Sequence, residues 1–501
     1  MIFMNILIGG AWPYANGSLH IGHLASLLGG DVLARYYRIK GDRVLYVSGS
    51  DCHGTPITLR ARKEGVAPGD IAERYHREFE DCFKRLGFSY DVYGHTYSEE
   101  HKVFVKEFLS DLYHKNRLYE KQIDQTYCPV CSQFLPDRFV SGLCPHCHKP
   151  ARGDQCDACG SLLDLTQLID KSCGICGNAP EIRPTRHLFL ALSEYEKALR
   201  QWVEQAQGWR ANALGMTLRY LDEGLVDRAV TRDIDWGIDV PIEGYEDKKI
   251  YVWVEAVLGY LSTSAQAARN YDWDFKDFWD SSSPSLHYYI HGKDNIPFHS
   301  VILPALLLAK GDLKLPDRII SSEYENLEGR KISTSGNWAI WVQELLDRYD
   351  PDSIRYFFIA NGPEKRDADF SWREFIGCHN TDLVNQLGNL VHRTLVFLKK
   401  SYDLTVPQGS LEPVIKSAID KAYAQSGQAI ETGNFREALE AVNQLVRLGN
   451  RYFDEQKPWV TIKEDKGLCD QSLYNLLQII ANLTRLLAPF TPFAARKLTS
   501  L

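Results

Sequence analysis

The spacing of apolar and polar positions divides the chain into three kinds of segment. Residues 3–9 form a short apolar run closed by Gly9-Gly10, and after a turn-rich stretch Leu24, Leu27, Leu28 and Val32 recur at helical spacing. Arg43–Val47 is a second strand candidate, ending at Gly49-Ser50-Asp51. Strand, helix and strand in this order make a βαβ unit, which predicts a parallel sheet with ligands bound beyond the strand C-termini. Near residue 118 the pattern breaks, and as far as residue 180 Cys, Gly, Pro and Asp replace periodicity. Lys249–Glu255 and Leu286–His291 then read as strands, being rich in aromatic and β-branched residues. From residue 378 only helical spacing remains. Leu383, Leu387, Leu390, Val391, Leu395 and Leu398 share a face, and stretches near 412–426, 434–453 and 471–488 look similar, predicting an all-α bundle.

Composition narrows the class. Of 501 residues 44% are apolar and 24% charged, which excludes global disorder. Val301–Ala309 is too short for a bilayer and carries Pro304, so no membrane-spanning helix is expected. The first basic residue is Arg35, so no export signal is expected either. A net charge of -8 argues against coating a polyanion by bulk attraction, although the helical C-terminal part is mildly basic and admits a few local contacts. Of 12 cysteines, eight form four C-x-x-C pairs: Cys128/Cys131, Cys144/Cys147, Cys156/Cys159 and Cys173/Cys176. Without an export signal a reducing, cytoplasmic location is expected, where such pairs hold metal in preference to disulfides. Four thiolates close a tetrahedral Zn²⁺ site that builds structure, so eight give two sites. Spacing alone would pair the knuckles sequentially.

Two further segments carry chemistry. His20-Ile21-Gly22-His23 sits where a strand has ended and a helix begins, a place where free backbone N–H groups and the helix dipole favour phosphate. By itself a His-x-x-His pair is ordinary surface; its strand–turn–helix setting gives it weight. Gly329-Arg330-Lys331-Ile332-Ser333-Thr334-Ser335-Gly336 is a cationic, hydroxyl-rich loop able to close over phosphates, although such a peptide is also ordinary turn material.

The first of these matches the HIGH motif of class I aminoacyl-tRNA synthetases. With Ala11-Trp12-Pro13-Tyr14-Ala15-Asn16-Gly17 before it, the chain resembles the methionyl-tRNA synthetases. The resemblance continues through Asp51-Cys52-His53-Gly54-Thr55-Pro56, Tyr251-Val252-Trp253, Gly259-Tyr260, Gly292-Lys293-Asp294 and Phe298-His299-Ser300 to Asn389…Arg393 and Pro458-Trp459, in the family's order. It implies a Rossmann-type catalytic domain over 1–117 and 226–322, a connective insertion with zinc knuckles over 118–225, a stem-contact segment over 323–377 and a helical anticodon-binding bundle over 378–501. It also implies ATP with Mg²⁺, L-methionine and tRNA(Met) as partners, with no membrane and a monomeric state expected.

Residue roles follow from the same resemblance. His20, His23 and Lys331 would be catalytic, and Gly22, Gly292, Asp294, Ser333 and Thr334 would contact the nucleotide. Trp12, Tyr14, Asp51, Val252, Trp253, Tyr260, Phe298 and His299, placed on or near strand ends, would surround methionine, with Asp51 on its ammonium. Asn389, Arg393, Pro458 and Trp459 would read the anticodon. The resemblance implies nested zinc pairing, with Cys144, Cys147, Cys156 and Cys159 inside and Cys128, Cys131, Cys173 and Cys176 outside. Thr334 departs from the family, whose KMSKS loop has a second lysine there, and Arg330 is the nearby cation that could compensate. Trp12, Glu255 and Val257 also depart from the pocket residues usual in the family. Two other functions stay open: a class I synthetase for valine, isoleucine, leucine or cysteine, and a weakly catalytic paralogue that binds tRNA or a partner.

Overall fold

A computed structural model describes residues 3–135, 139–152, 159, 167–334 and 336–500. Its centre is a parallel sheet of β1 (Asn5–Gly10), β2 (Arg43–Ser50), β3 (Val92–His95), β4 (Leu286–Gly292) and β5 (Arg318–Ser322), in the order β5-β4-β1-β2-β3. Helix α1 (Ile21–Lys40) crosses from β1 to β2. The connections run one way from β1 to β2 and β3 and the other way to β4 and β5, so a crevice opens beyond the C-termini of β1 and β4. This is the Rossmann-type sheet expected from the alternating pattern.

Helix α1 is buried along most of its length, and two of its glycines explain how. A Cβ on Gly29 would lie 2.2 Å from the ring of Phe435, and one on Gly30 would lie 2.8 Å from the Tyr46 hydroxyl. The bare backbone thus lets the C-terminal bundle on one side and the sheet on the other reach van der Waals contact.

The run Lys249–Glu255 departs from expectation. Only Lys249–Ile250 is a strand, and Val252 begins α2 (Val252–Asn270). Almost all of α2 is buried, from Val254 to Ser264 without interruption, so it has no polar face to betray a helical period. Its β-branched residues favour a strand, and burial overrides that preference. Val252, Trp253 and Tyr260 therefore stand on a helix, and Phe298 and His299 on the π-helical turn Phe298–Ile302; none of the five is at a strand end.

The insertion is more regular than its composition suggested. Leu118–Cys128 pairs antiparallel with Glu181–Leu190 over ten registered residues, and these two strands carry the knuckle region away from the sheet. Much of this ribbon is exposed, so no alternation marks it in the sequence. Beyond β5, strands Glu325–Leu327, Arg330–Lys331 and Ala368–Phe370 form a small sheet around the Lys331 loop. The C-terminal part is helical as expected, with α3 (Asn389–Tyr402), α4 (Pro413–Glu431), α5 (Phe435–Gln456) and α6 (Lys466–Leu487). Among the described residues no helix is long and apolar enough to cross a membrane.

Candidate active site

His20 is the N-cap of α1, one residue before the helix proper. Its Nδ1 accepts from the backbone N–H of Gly22 at 3.1 Å, and Nδ1 of His23 accepts from the backbone N–H of His20 at 3.1 Å. Two histidines thus form a reciprocal cap at a helix N-terminus, with rings 4.0 Å apart. Because each Nδ1 accepts, each ring proton sits on Nε2, leaving a fixed N–H donor on a neutral ring. Burial lowers the His20 pKa from 6.5 to about 4; burial, then the neighbouring His20, lowers that of His23 well below its ordinary value. A Cβ on Gly22 would lie 3.0 Å from the His20 ring, so glycine keeps this face open.

These shifts have a sign. The unfolded imidazoles titrate near 6.5 and the folded ones lower, so between those values the unfolded chain binds more protons and stability rises with pH. The contribution is fully present above 6.5 and is lost as pH falls through about 4. The urea midpoint at about pH 5 is expected to lie below that at about pH 7.5; equal midpoints would show the rings already charged in the fold.

The two histidines line a cleft of about 520 Å³ at the crevice beyond β1 and β4. Trp12, Tyr14, Gly22, Trp253, Gly292, Asp294, Lys331, Ser333 and Thr334 line it too, so motifs far apart in the sequence meet in one space. The loop is tied to α1 by backbone: Ile21 N–H donates to Ile340 at 3.1 Å and Val342 N–H to Leu19 at 2.8 Å. Lys331 is the cation among the described cleft-lining residues; Arg330 is exposed and lies over the Trp338 ring at 5.2 Å, outside that lining.

Next to the cleft is an aromatic wall. Trp253 stacks on Phe298 with centroids 4.2 Å apart, Tyr14 lies 6.3 Å from Trp253, and Trp12 meets Tyr260 edge-on at 6.4 Å. The His299 ring takes one tautomer: Nδ1–H donates to the Asn295 carbonyl at 2.8 Å and Nε2 accepts from the Tyr260 hydroxyl at 2.7 Å. Asp51, Val252, Tyr260, Phe298 and His299 lie behind the surface of the cleft and do not line it. Asp51 is buried, and burial followed by nearby Glu255 pushes its carboxyl well above the usual range. A ligand cation placed against it would reverse that shift. Glu255, which sequence reading singled out only as a departure, shares a 2.7 Å hydrogen bond with His53 Nδ1 beside this site.

The knuckles come together in nested order. Sγ atoms of Cys128, Cys131, Cys173 and Cys176 lie within 4.8 Å of one another, with Cys128–Cys176 at 3.5 Å and Cys131–Cys173 at 3.9 Å. Tetrahedral thiolates on zinc stand about 3.8 Å apart, so this set fits the ion. Cys144, Cys147 and Cys159 form a second group, while Cys156 lies outside the described residues.

The anticodon candidates share one platform in the C-terminal helices. Arg393 lies over the Phe453 ring at 4.2 Å and pairs with Asp454 at 2.6 Å, while the exposed Trp459 stacks near the same ring at 5.6 Å. Asn389 Nδ2 reaches Asn450 Oδ1 at 3.5 Å, and Pro458 opens the short helix that carries Trp459. Phe453, Asn450 and Asp454 escaped sequence reading; their helical spacing on α5 was visible, but not the partner helix they face.

The profile of the family described as tRNA synthetases class I (M) matches residues 6–395, and that of the anticodon binding domain of methionyl tRNA ligase matches residues 405–501. The chain belongs to the methionyl-tRNA synthetases. It is 55% identical to methionine–tRNA ligase 1 of Alkaliphilus oremlandii (strain OhILAs) over 99% of this chain and 92% of that protein. It is 53% identical to the methionine–tRNA ligase of Bacillus cereus (strain 03BB102), over 99% and 91%. Among solved structures, Mycobacterium tuberculosis methionyl-tRNA synthetase bound by methionyl-adenylate superimposes with a TM-score of 0.81 at 25% identity, covering 99% of this chain and 94% of that one. In this methionyl-tRNA synthetase His20, His23 and Lys331 line one cleft together with Thr334.

Proposed function

We propose that the chain activates methionine with ATP and transfers it to the 3'-terminal ribose of tRNA(Met). What carries the reading is the pair of neutral histidines capping α1 and facing Lys331 across one cleft. A carboxylate oxygen of methionine attacks the α-phosphorus of ATP, the bond to the β-phosphate oxygen breaks, and pyrophosphate leaves. No covalent nucleophile from the chain is needed, because positioning and charge neutralisation carry phosphoryl-type transfers of this kind. His20 and His23 donate Nε2–H to the phosphates, Lys331 closes over them, and Gly292 and Asp294 hold the adenosine. Mg²⁺, when bound with ATP, adds charge neutralisation on the phosphates. A ribose hydroxyl then attacks the adenylate carbonyl and AMP leaves. Pyrophosphate exchange over a panel of amino acids tests this: methionine-dependent exchange supports it, another amino acid redirects it, and none favours a tRNA-binding paralogue.

Thr334 is the observation behind that second reading. With one lysine on the loop, the leaving pyrophosphate is neutralised less, so Thr334→Lys is expected to raise exchange kcat by about tenfold. An unchanged kcat would mean that the chain supplies the second charge elsewhere.

The four-cysteine set Cys128, Cys131, Cys173 and Cys176 would hold one structural zinc, and Cys144, Cys147 and Cys159 with Cys156 a second. The ion supplies no chemistry in the cleft; it closes the loops of the knuckle region. Cys128→Ser with Cys173→Ser is expected to lower zinc content by about one equivalent per chain, measured by elemental analysis. Loss of two equivalents, as sequential pairing would give, or undiminished zinc would overturn the nested assignment.

A further inference from the structure

Tyr324 stands between the two parts of the cleft that the proposed reaction must bring into register. Its hydroxyl donates to Asp294, the carboxylate that the proposed function places on adenosine. Its ring lies 4.9 Å from the ammonium of Lys331, the loop cation. Tyr324, Asp294 and Lys331 all line the cleft.

The rest of the tyrosine is anchored. Its backbone N–H donates to Asp367 at 3.0 Å, and Lys293 Nζ sits 3.7 Å from its ring. Lys293 is itself held by Glu323 at 2.6 Å and Asp367 at 3.1 Å. One ring therefore carries a firmly held ammonium and a second, Lys331, whose nearby carboxylate, Asp367, is already paired with Lys293. Two like charges share that ring, so Lys331 is the one easily shed.

We propose that Tyr324 is a nucleotide-displaced latch: its hydroxyl occupies Asp294 and its ring parks Lys331 until a ribose arriving at Asp294 displaces the phenol and frees the lysine for the phosphates. The proposal rests on the reading of the cleft as an ATP site. It makes nucleoside binding the event that delivers the loop cation, so that the charge arrives only once there is something to neutralise. Tyr324 acts through Asp294 and Lys331 and is a positioning residue.

Two measurements test the latch. Acylation of Lys331 by an amine-reactive ester, read by peptide mapping, is expected to rise about threefold when adenosine is added, because adenosine fills the ribose site without phosphates to shield the lysine. In Tyr324→Leu the labelling should be high already and indifferent to adenosine. In exchange assays Tyr324→Phe is expected to lower the KM for ATP by about three- to tenfold while the KM for methionine stays put. Adenosine binding is followed separately by calorimetry. Adenosine that binds without changing Lys331 labelling, or a Tyr324→Phe enzyme with an unaltered KM for ATP, would overturn the latch. Failure of the wild-type enzyme to show methionine-dependent exchange would instead overturn the proposed function, while the labelling arm still reads the latch.

Discussion

Exchange of pyrophosphate into ATP is expected to fall by about a thousandfold or more when His20 and His23 are both replaced by alanine, with methionine binding retained. Each ring presents an N–H donor whose direction is set before substrate arrives, since Nδ1 is committed to the backbone cap. One such preorganised donor is worth about 10²–10³ in kcat, and the two act as a unit, so the double loss need not equal the product of single losses. The cap is the competing explanation, because alanine also removes an N-cap acceptor at a cost of about 1 kcal/mol. His20→Ser separates the two: its oxygen restores the cap but cannot reach the cleft as the ring does. That variant should melt close to the wild type yet keep the exchange defect. Exchange within about threefold of the wild type in the double mutant would remove the histidines from the mechanism.

The same pair shows what sequence can and cannot disclose. His20 and His23 were legible because a strand end, a turn and a helix start are all local, and the cysteine pairs because ligand spacing is local. The helix Val252–Asn270 was not, since burial on all sides erases the polar stripe that reveals a helical period. The long ribbon of Leu118–Cys128 and Glu181–Leu190 was missed for the opposite reason: too much of it is exposed for alternation to appear. Tyr324 and Phe453 were invisible as site residues because their meaning lies in a neighbour, Asp294 or Lys331 for one, Arg393 and Trp459 for the other. Periodicity reports burial and spacing reports local chemistry, but neither reports which distant surfaces meet.

A buried ion pair is the strongest case of such a meeting, and Asp31→Leu is expected to destabilise the fold by about 3–5 kcal/mol. Asp31 lies on α1, Arg355 on the helix Pro351–Asn361, and both are fully buried with Nη2–Oδ2 at 2.7 Å. Asp31 also accepts from Arg35 at 2.7 Å and from the Ser89 N–H and hydroxyl at 2.7 and 2.6 Å. Burial works to raise its pKa, but Arg355, Arg35 and Ser89 outweigh it and hold the carboxyl below its ordinary value. Its stabilisation is therefore complete above that ordinary value and fails as pH drops through the lowered one. Arg355 spends its other donors on the carbonyls of Phe490 at 2.9 Å, Pro489 at 2.9 Å and Leu86 at 3.3 Å, tying α1 to the turn after α6. Leucine at 31 would leave that guanidinium buried with its direct ion-pair partner gone and only Asp352 opposing its charge, and the desolvation of a cation so poorly paired dominates the cost. Adding Arg355→Met removes the stranded charge, so the double mutant should lose less than the sum of the single losses, a coupling readable in a urea-denaturation cycle. The loss should be local before it is global: amides around Pro489–Phe490 would exchange faster than those of β1 and β2. A change below about 1 kcal/mol for Asp31→Leu, or strict additivity in the cycle, would mean that the packing of α1 against Tyr46 and Phe435 holds the bundle in place without the charge pair.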